Sequence, residues 1–185
     1  GGPACYCSIT VKNLKFDCQL YTKFGNDFSN DILLKNNIDF KNATSNKLTT
    51  KFKIVLDDSD RTLSLINECE PIEYSKMKVD GVIISPAYHE ISNNVYEKIN
   101  NDSDFIFLDP QGFLRRTDSE NKIILEKTDI DLSKISAIKT SPDEIFCLTN
   151  STGIDAMKIL QSKGIEYVIL TNKREITMLV KYKLY

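Results

Sequence analysis

The sequence predicts an α/β fold on a mostly parallel sheet, and three observations carry that expectation. Phe105-Ile106-Phe107-Leu108 is a run of four apolar residues that reads as a strand buried on both faces. Asp109-Pro110 halts it, because proline has no N–H for the ladder and holds the preceding residue extended. The stretch from Val79 to Ile84, stopped at Ser85-Pro86, reads as another buried strand. Between such strands stand helix-start signals, the strongest being Ser141-Pro142-Asp143-Glu144, with a cap, a proline in the first position and a glutamate in the third. Strands and helices in series imply crossover connections and hence parallel neighbours. Ligands of open sheets of this kind bind just beyond the carboxyl ends of the strands. The stretch from Asp109 to Arg116 has that position, and it carries a carboxylate, an amide, a glycine and two arginines.

The elements follow in order. Ala4, Cys7, Val11 and Leu14 fall on one face of a helix, preceded by Gly1-Gly2-Pro3, where glycines would let a ligand reach free N–H groups. Cys18 to Thr22 reads as a strand, and Asp27 as the cap of a helix from Phe28 to about Asn36. Phe52, Ile54 and Leu56 alternate, Asp57-Asp58-Ser59-Asp60 turns, and Leu63 and Leu65 alternate back, which makes a hairpin with one apolar face. Ser92 caps a short helix through Val95 and Ile99, Ile123 to Leu125 reads as a small strand, and Ile135 to Lys139 as another. Thr152 opens a second helix that Gly164 stops. Tyr167 to Leu170 and Ile176 to Lys183 are the last strands, joined by a turn at 172–175.

At 185 residues the chain is expected to form one domain, 1–185, with a real core. A net charge of -2 offers no field for nucleic acid and no polybasic stretch for anionic lipid. No run approaches the ~20 apolar residues of a membrane span. Five cysteines without a Cys-x-x-Cys pair, and His89 as the only histidine, argue against a metal cluster and for thiols in a reducing cytoplasm. A nucleophilic hydrolase would need His89, and no elbow motif stands near it. No signal peptide is expected, and Gly1-Gly2-Pro3-Ala4 reads like the middle of a longer chain.

In order along the chain these stretches resemble the ribokinase-type (PfkB) carbohydrate kinases. Gly1-Gly2-Pro3-Ala4 and the helix after it resemble the Gly-Gly substrate signature, and 22–28 resembles the valine–glycine–x–aspartate stretch that follows. The hairpin from Lys47 to Ile66, the strand ends 80–86 and 108–115, and Lys139 to Glu144, in place of asparagine–x–x–glutamate, continue the series. The resemblance implies a ribokinase-like, Rossmann-type three-layer α/β/α fold with a hairpin lid. It also implies phosphoryl transfer from ATP, with Mg²⁺, to a hydroxyl of a sugar, inositol or nucleoside. Its catalytic aspartate belongs to a glycine–alanine–glycine–aspartate motif that these residues do not contain, so no catalytic residue is assigned. A non-catalytic sugar or nucleotide sensor, or a partner subunit, is the alternative.

The sites it implies are Gly1, Gly2, Tyr6, Asp109, Gln111 and Arg115 for substrate. Lys139, Ser141 and Thr171 are implied for nucleotide, and Glu144 for Mg²⁺ through water. Each has a plain structural reading beside it, above all Glu144, which also completes a capping box. The hairpin 47–66 would cover substrate, meet a second copy in a homodimer, or simply pack on the sheet. Ser141 replaces the family's asparagine, and Lys173 and Ile176 replace both glycines of a threonine–x–glycine–x–x–glycine turn. Side chains there are expected to obstruct the nucleotide or reshape the turn.

Overall fold

The computed structural model describes residues 2–57, 60–181 and 183–185. In chain order the elements are α1 (Gly2–Asn13), β1 (Gln19–Leu20), α2 (Asp31–Lys35), β2 (Asp39–Phe40), β3 (Lys51–Asp57), β4 (Asp60–Asn67), β5 (Val82–Ile84), α3 (Asn93–Asn100) and β6 (Ile106–Leu108). They continue with α4 (Gln111–Leu114), β7 (Arg115–Thr117), β8 (Ile123–Leu125), β9 (Ala137–Thr140), α5 (Pro142–Thr149), α6 (Gly153–Ser162), β10 (Tyr167–Asn172), β11 (Glu175–Val180) and β12 (Lys183–Leu184). The chain divides into two units. One holds Gly1–Ser75, Pro86–Val95 and Arg116–Ile124, the other Lys76–Ser85, Tyr96–Arg115 and Leu125–Tyr185.

The second unit is built on a six-stranded sheet in the order β12-β11-β10-β9-β6-β5. β5, β6, β9 and β10 run parallel, and β11 and β12 continue antiparallel. The register places Ile84, Leu108, Ile138 and Val168 in one row across the parallel strands, on one face. All four are buried, and α5 and α6 pack on β9, β10 and β11 with Ile145, Ala156, Met157 and Leu160 fully buried. Burying side chains of this kind stabilises the fold by ~1.5–3 kcal/mol each, which makes this row the anchor of the unit. The opposite face is barer: Ile83 and Phe105 are exposed, and Phe105 rests on Tyr167 with ring centroids 6.4 Å apart.

In the first unit, Cys5, Phe24, Leu33, Ile38 and Ala43 form a small core beneath α1. β3 and β4 pair as the expected hairpin, with Phe52 opposite Leu65 and Ile54 opposite Leu63, so the apolar residues do share a face. Its tip at Asp58 and Ser59 lies outside the described residues. Among the described residues no helix is long and apolar enough to cross a membrane.

Several local expectations change. In α1 the buried residues are Cys5 and Ser8, while Leu14 is exposed; the serine is tolerated because its hydroxyl donates to the Ala4 carbonyl at 2.7 Å. The second helix starts at Asp31, because Asp27 is engaged elsewhere: its Oδ1 accepts from the Thr49 amide at 2.9 Å and the Thr49 hydroxyl at 2.7 Å. Gly25 sits beneath this lock, and a Cβ there would run into the Lys47 carbonyl oxygen. The Cys18 to Thr22 strand shrinks to β1, which pairs parallel with β2, a strand whose two residues leave no periodic signal. Thr152 is the N-cap of α6, yet its hydroxyl makes no capping bond.

Candidate functional site

The carboxyl ends of β5, β6, β9 and β10 carry a row of polar side chains. In a sheet, residues two apart share a face. Lys139 therefore lies on the opposite face from the buried Ile138 row, and Asp109, the residue after β6, falls beside it. Asp109 is fixed by its backbone, whose N–H continues the ladder to the Ile84 carbonyl at 2.8 Å. Its Oδ2 accepts from the Ser85 hydroxyl at 3.3 Å, and its Oδ1 lies 3.5 Å from the Gln111 amide. Lys139 Nζ is 3.7 Å from Asp109 Oδ1 and 3.9 Å from Glu144 Oε2. Those separations are ion pairs rather than hydrogen bonds, so the three ammonium protons are not consumed by the two carboxylates.

Glu144 reaches this group from the first turn of α5. The capping box is complete: Ser141 Oγ accepts from the Glu144 amide at 3.3 Å, and Glu144 Oε2 accepts from the Ser141 amide at 2.7 Å. One carboxylate thus closes the helix start and faces Lys139 at once. The site carries one positive and two negative side chains, all partly withdrawn from water. Burial pushes the Asp109 carboxyl above its ordinary 3.8, and Lys139 pulls the other way without cancelling the effect.

The structure thus brings together Asp109, Lys139, Ser141 and Glu144, with Gln111 joined through its backbone. Thr171 stands close by along the sheet, its hydroxyl donating to the Thr140 carbonyl at 3.3 Å. Arg115 is half-buried at the C-cap of α4, a four-residue helix that takes the place of the expected loop. Ser85, which holds Asp109, belongs to the same group and carried no signal in the sequence beyond ending a strand before a proline. Gly2 and Tyr6 belong to the other unit. Gly2 opens α1 at φ 73, where glycine is favoured, and Tyr6 is 73% exposed. Gly1 lies outside the described residues.

Lys173 and Ile176, expected to obstruct the nucleotide or to reshape the turn, lie in and beside the turn of a β-hairpin. Asn172 pairs with Glu175 and Thr171 with Ile176, leaving a two-residue loop. Lys173 takes φ 53, the conformation for which glycine is suited. Ile176 is 66% exposed and shares a face with Thr171 and Lys139.

Direct coordination of a metal does not fit these residues. The Lys139 ammonium already stands between the two carboxylates, and part of their acceptor capacity is taken by the Ser85 hydroxyl and the Ser141 amide. Among the described residues no group of three or more His, Cys, Asp or Glu could hold a metal ion.

No family model and no curated protein matches the sequence. Solved structures do. One is a pyrophosphate-dependent kinase in the ribokinase family in a sulfate complex, with TM-score 0.81 and 21% identity over 96% of this chain and 67% of that one. Another is a pyrophosphate-dependent kinase of the same family complexed with a pyrophosphate analog and myo-inositol, with TM-score 0.79 and 20% identity over 96% and 66%. A third is the fructokinase of Halothermothrix orenii, with TM-score 0.73 and 15% identity over 100% and 73%. The chain spans about two thirds of the length of the two pyrophosphate-dependent kinases. At these identities the likeness establishes the fold, which is ribokinase-like α/β with a mostly parallel sheet.

Proposed function

We propose that this chain belongs to a ribokinase-type (PfkB) small-molecule kinase that transfers a phosphoryl group to a hydroxyl of a sugar, an inositol or a nucleoside. The supporting observation is the convergence of Asp109, Lys139 and Glu144 at the carboxyl ends of parallel strands in a ribokinase-like sheet. Phosphoryl transfer asks a protein for positioning and for charge where the transferred group gains it. Lys139 supplies an ammonium with free donors for a phosphate oxygen. Asp109 supplies a desolvated acceptor suited to a substrate hydroxyl. The base that would deprotonate the attacking hydroxyl is not among these residues, which lack the glycine–alanine–glycine–aspartate motif.

ATP is the donor that the family resemblance implies, with Thr171 and Ser141 bordering it. Inorganic pyrophosphate is the competing donor, favoured by Lys173 and Ile176 in place of glycines and by the pyrophosphate-dependent kinases among the similar structures. The exposed Ile54 and Leu56 of the β3–β4 hairpin suit a contact with a second copy. Calorimetry with ATP, pyrophosphate and a panel of inositols, hexoses and nucleosides, followed by a phosphate-transfer assay, tests the reading. Binding of one donor and one polyol is expected, with Lys139→Met weakening the donor at least ~tenfold. Failure of every donor and every polyol to bind would remove the proposal. Binding without transfer would favour the non-catalytic sensor or partner subunit.

A further inference from the structure

Two carboxylates held close together in a partly dehydrated site repel each other, and the usual remedy is a bound cation. Here the cation is built into the chain. The side chains of Asp109 and Glu144 are 14% and 9% exposed, and the Lys139 ammonium stands 3.7 Å from one and 3.9 Å from the other. β9 fixes the Lys139 backbone between β6 and β10, so the ammonium is delivered to this place by the sheet itself. The remaining acceptor capacity is partly spent as well, on the Ser85 hydroxyl and the Ser141 amide. A divalent ion ligated directly by these carboxylates would have to displace a charge of its own sign. No third carboxylate, histidine or cysteine stands in a metal-holding group with them among the described residues.

We infer that Lys139 is the resident counter-ion of the Asp109–Glu144 pair and excludes a directly ligated divalent cation from it. Mn²⁺ titration followed by electron paramagnetic resonance, in phosphate-free buffer, tests this on the whole chain. Wild type is expected to show no saturable site tighter than ~1 mM. Lys139→Met leaves both carboxylates without their cation and is expected to bind Mn²⁺ at least ~tenfold tighter, and adding Asp109→Asn is expected to abolish that gain. Lys139→Gln, which keeps hydrogen-bond donors, replaces the methionine variant if that one does not fold. No gain in either variant, or a wild-type site as tight as the variant's, overturns the inference. Should neither variant fold, the wild-type titration decides alone. The readout requires no turnover, so it stands or falls separately from the kinase proposal.

Discussion

Asp109 combines a sheltered carboxyl with a cation that only partly compensates its burial. Because the folded-state pKa is raised above the ordinary 3.8, the native state holds the proton more tightly than the unfolded chain does. Its contribution to stability is therefore greatest below that value and declines as pH rises from 3.8 through the raised value. Asp109→Asn lacks this decline. Urea melts of both proteins between about pH 3 and pH 6 should show the stability difference moving in favour of asparagine as pH rises. A difference that stays flat would show that Lys139 fully compensates the burial, and one that moves toward aspartate that it more than compensates it. Lys173 supplies a second expectation. Its left-handed φ of 53 is strained for a side chain with a Cβ, so Lys173→Gly should stabilise the protein by about 1 kcal/mol in denaturant titration. A loss of stability would mean that the lysine side chain has a partner worth more than the strain.

Among the elements, α5 was the most legible in the sequence. Proline in the first turn, a serine cap and a glutamate three residues on describe both ends of the capping box that the structure shows. Ser141→Ala removes the acceptor for the Glu144 amide and should cost about 1 kcal/mol. An unchanged midpoint in a thermal or chemical melt would show that Pro142 and the Glu144 carboxylate hold the helix start without the hydroxyl. α1 and α2 were legible as helices but not in their buried faces. Their apolar residues are too evenly spread, and burial was decided by what packs on them: the small cluster that selects Cys5 and Leu33 leaves Leu14, Ile32 and Leu34 exposed. The two-residue strand β2 left no sequence signal, since a period of two needs more than one repeat to register, and β1 was legible only as part of the longer Cys18 to Thr22 stretch.

At the scale of the whole chain, the six-stranded sheet ends on one side at β5. Its residue Ile83 is 47% exposed on the barer face. An edge strand with an apolar side chain in solvent is a template for pairing with another chain. Ile83→Lys should reduce concentration-dependent self-association in sedimentation velocity while changing stability by less than about 1 kcal/mol. Sedimentation identical to wild type would place any self-association elsewhere, with the exposed β3–β4 hairpin as the next surface to alter.

The linear order of residues determined the class of fold, because runs of apolar residues stopped by proline and helices announced by caps are local events that need no partner to be recognised. It also marked Asp109, Lys139, Ser141 and Glu144 one by one. Only the folded sheet decided that Lys139 faces two carboxylates at once, since that depends on the parallel register of β6 with β9 and on the way α5 leaves the end of β9. Charges far apart along a chain interact only when backbone pairing brings them within a few ångströms, and that pairing is a property of the whole sheet rather than of any stretch of sequence.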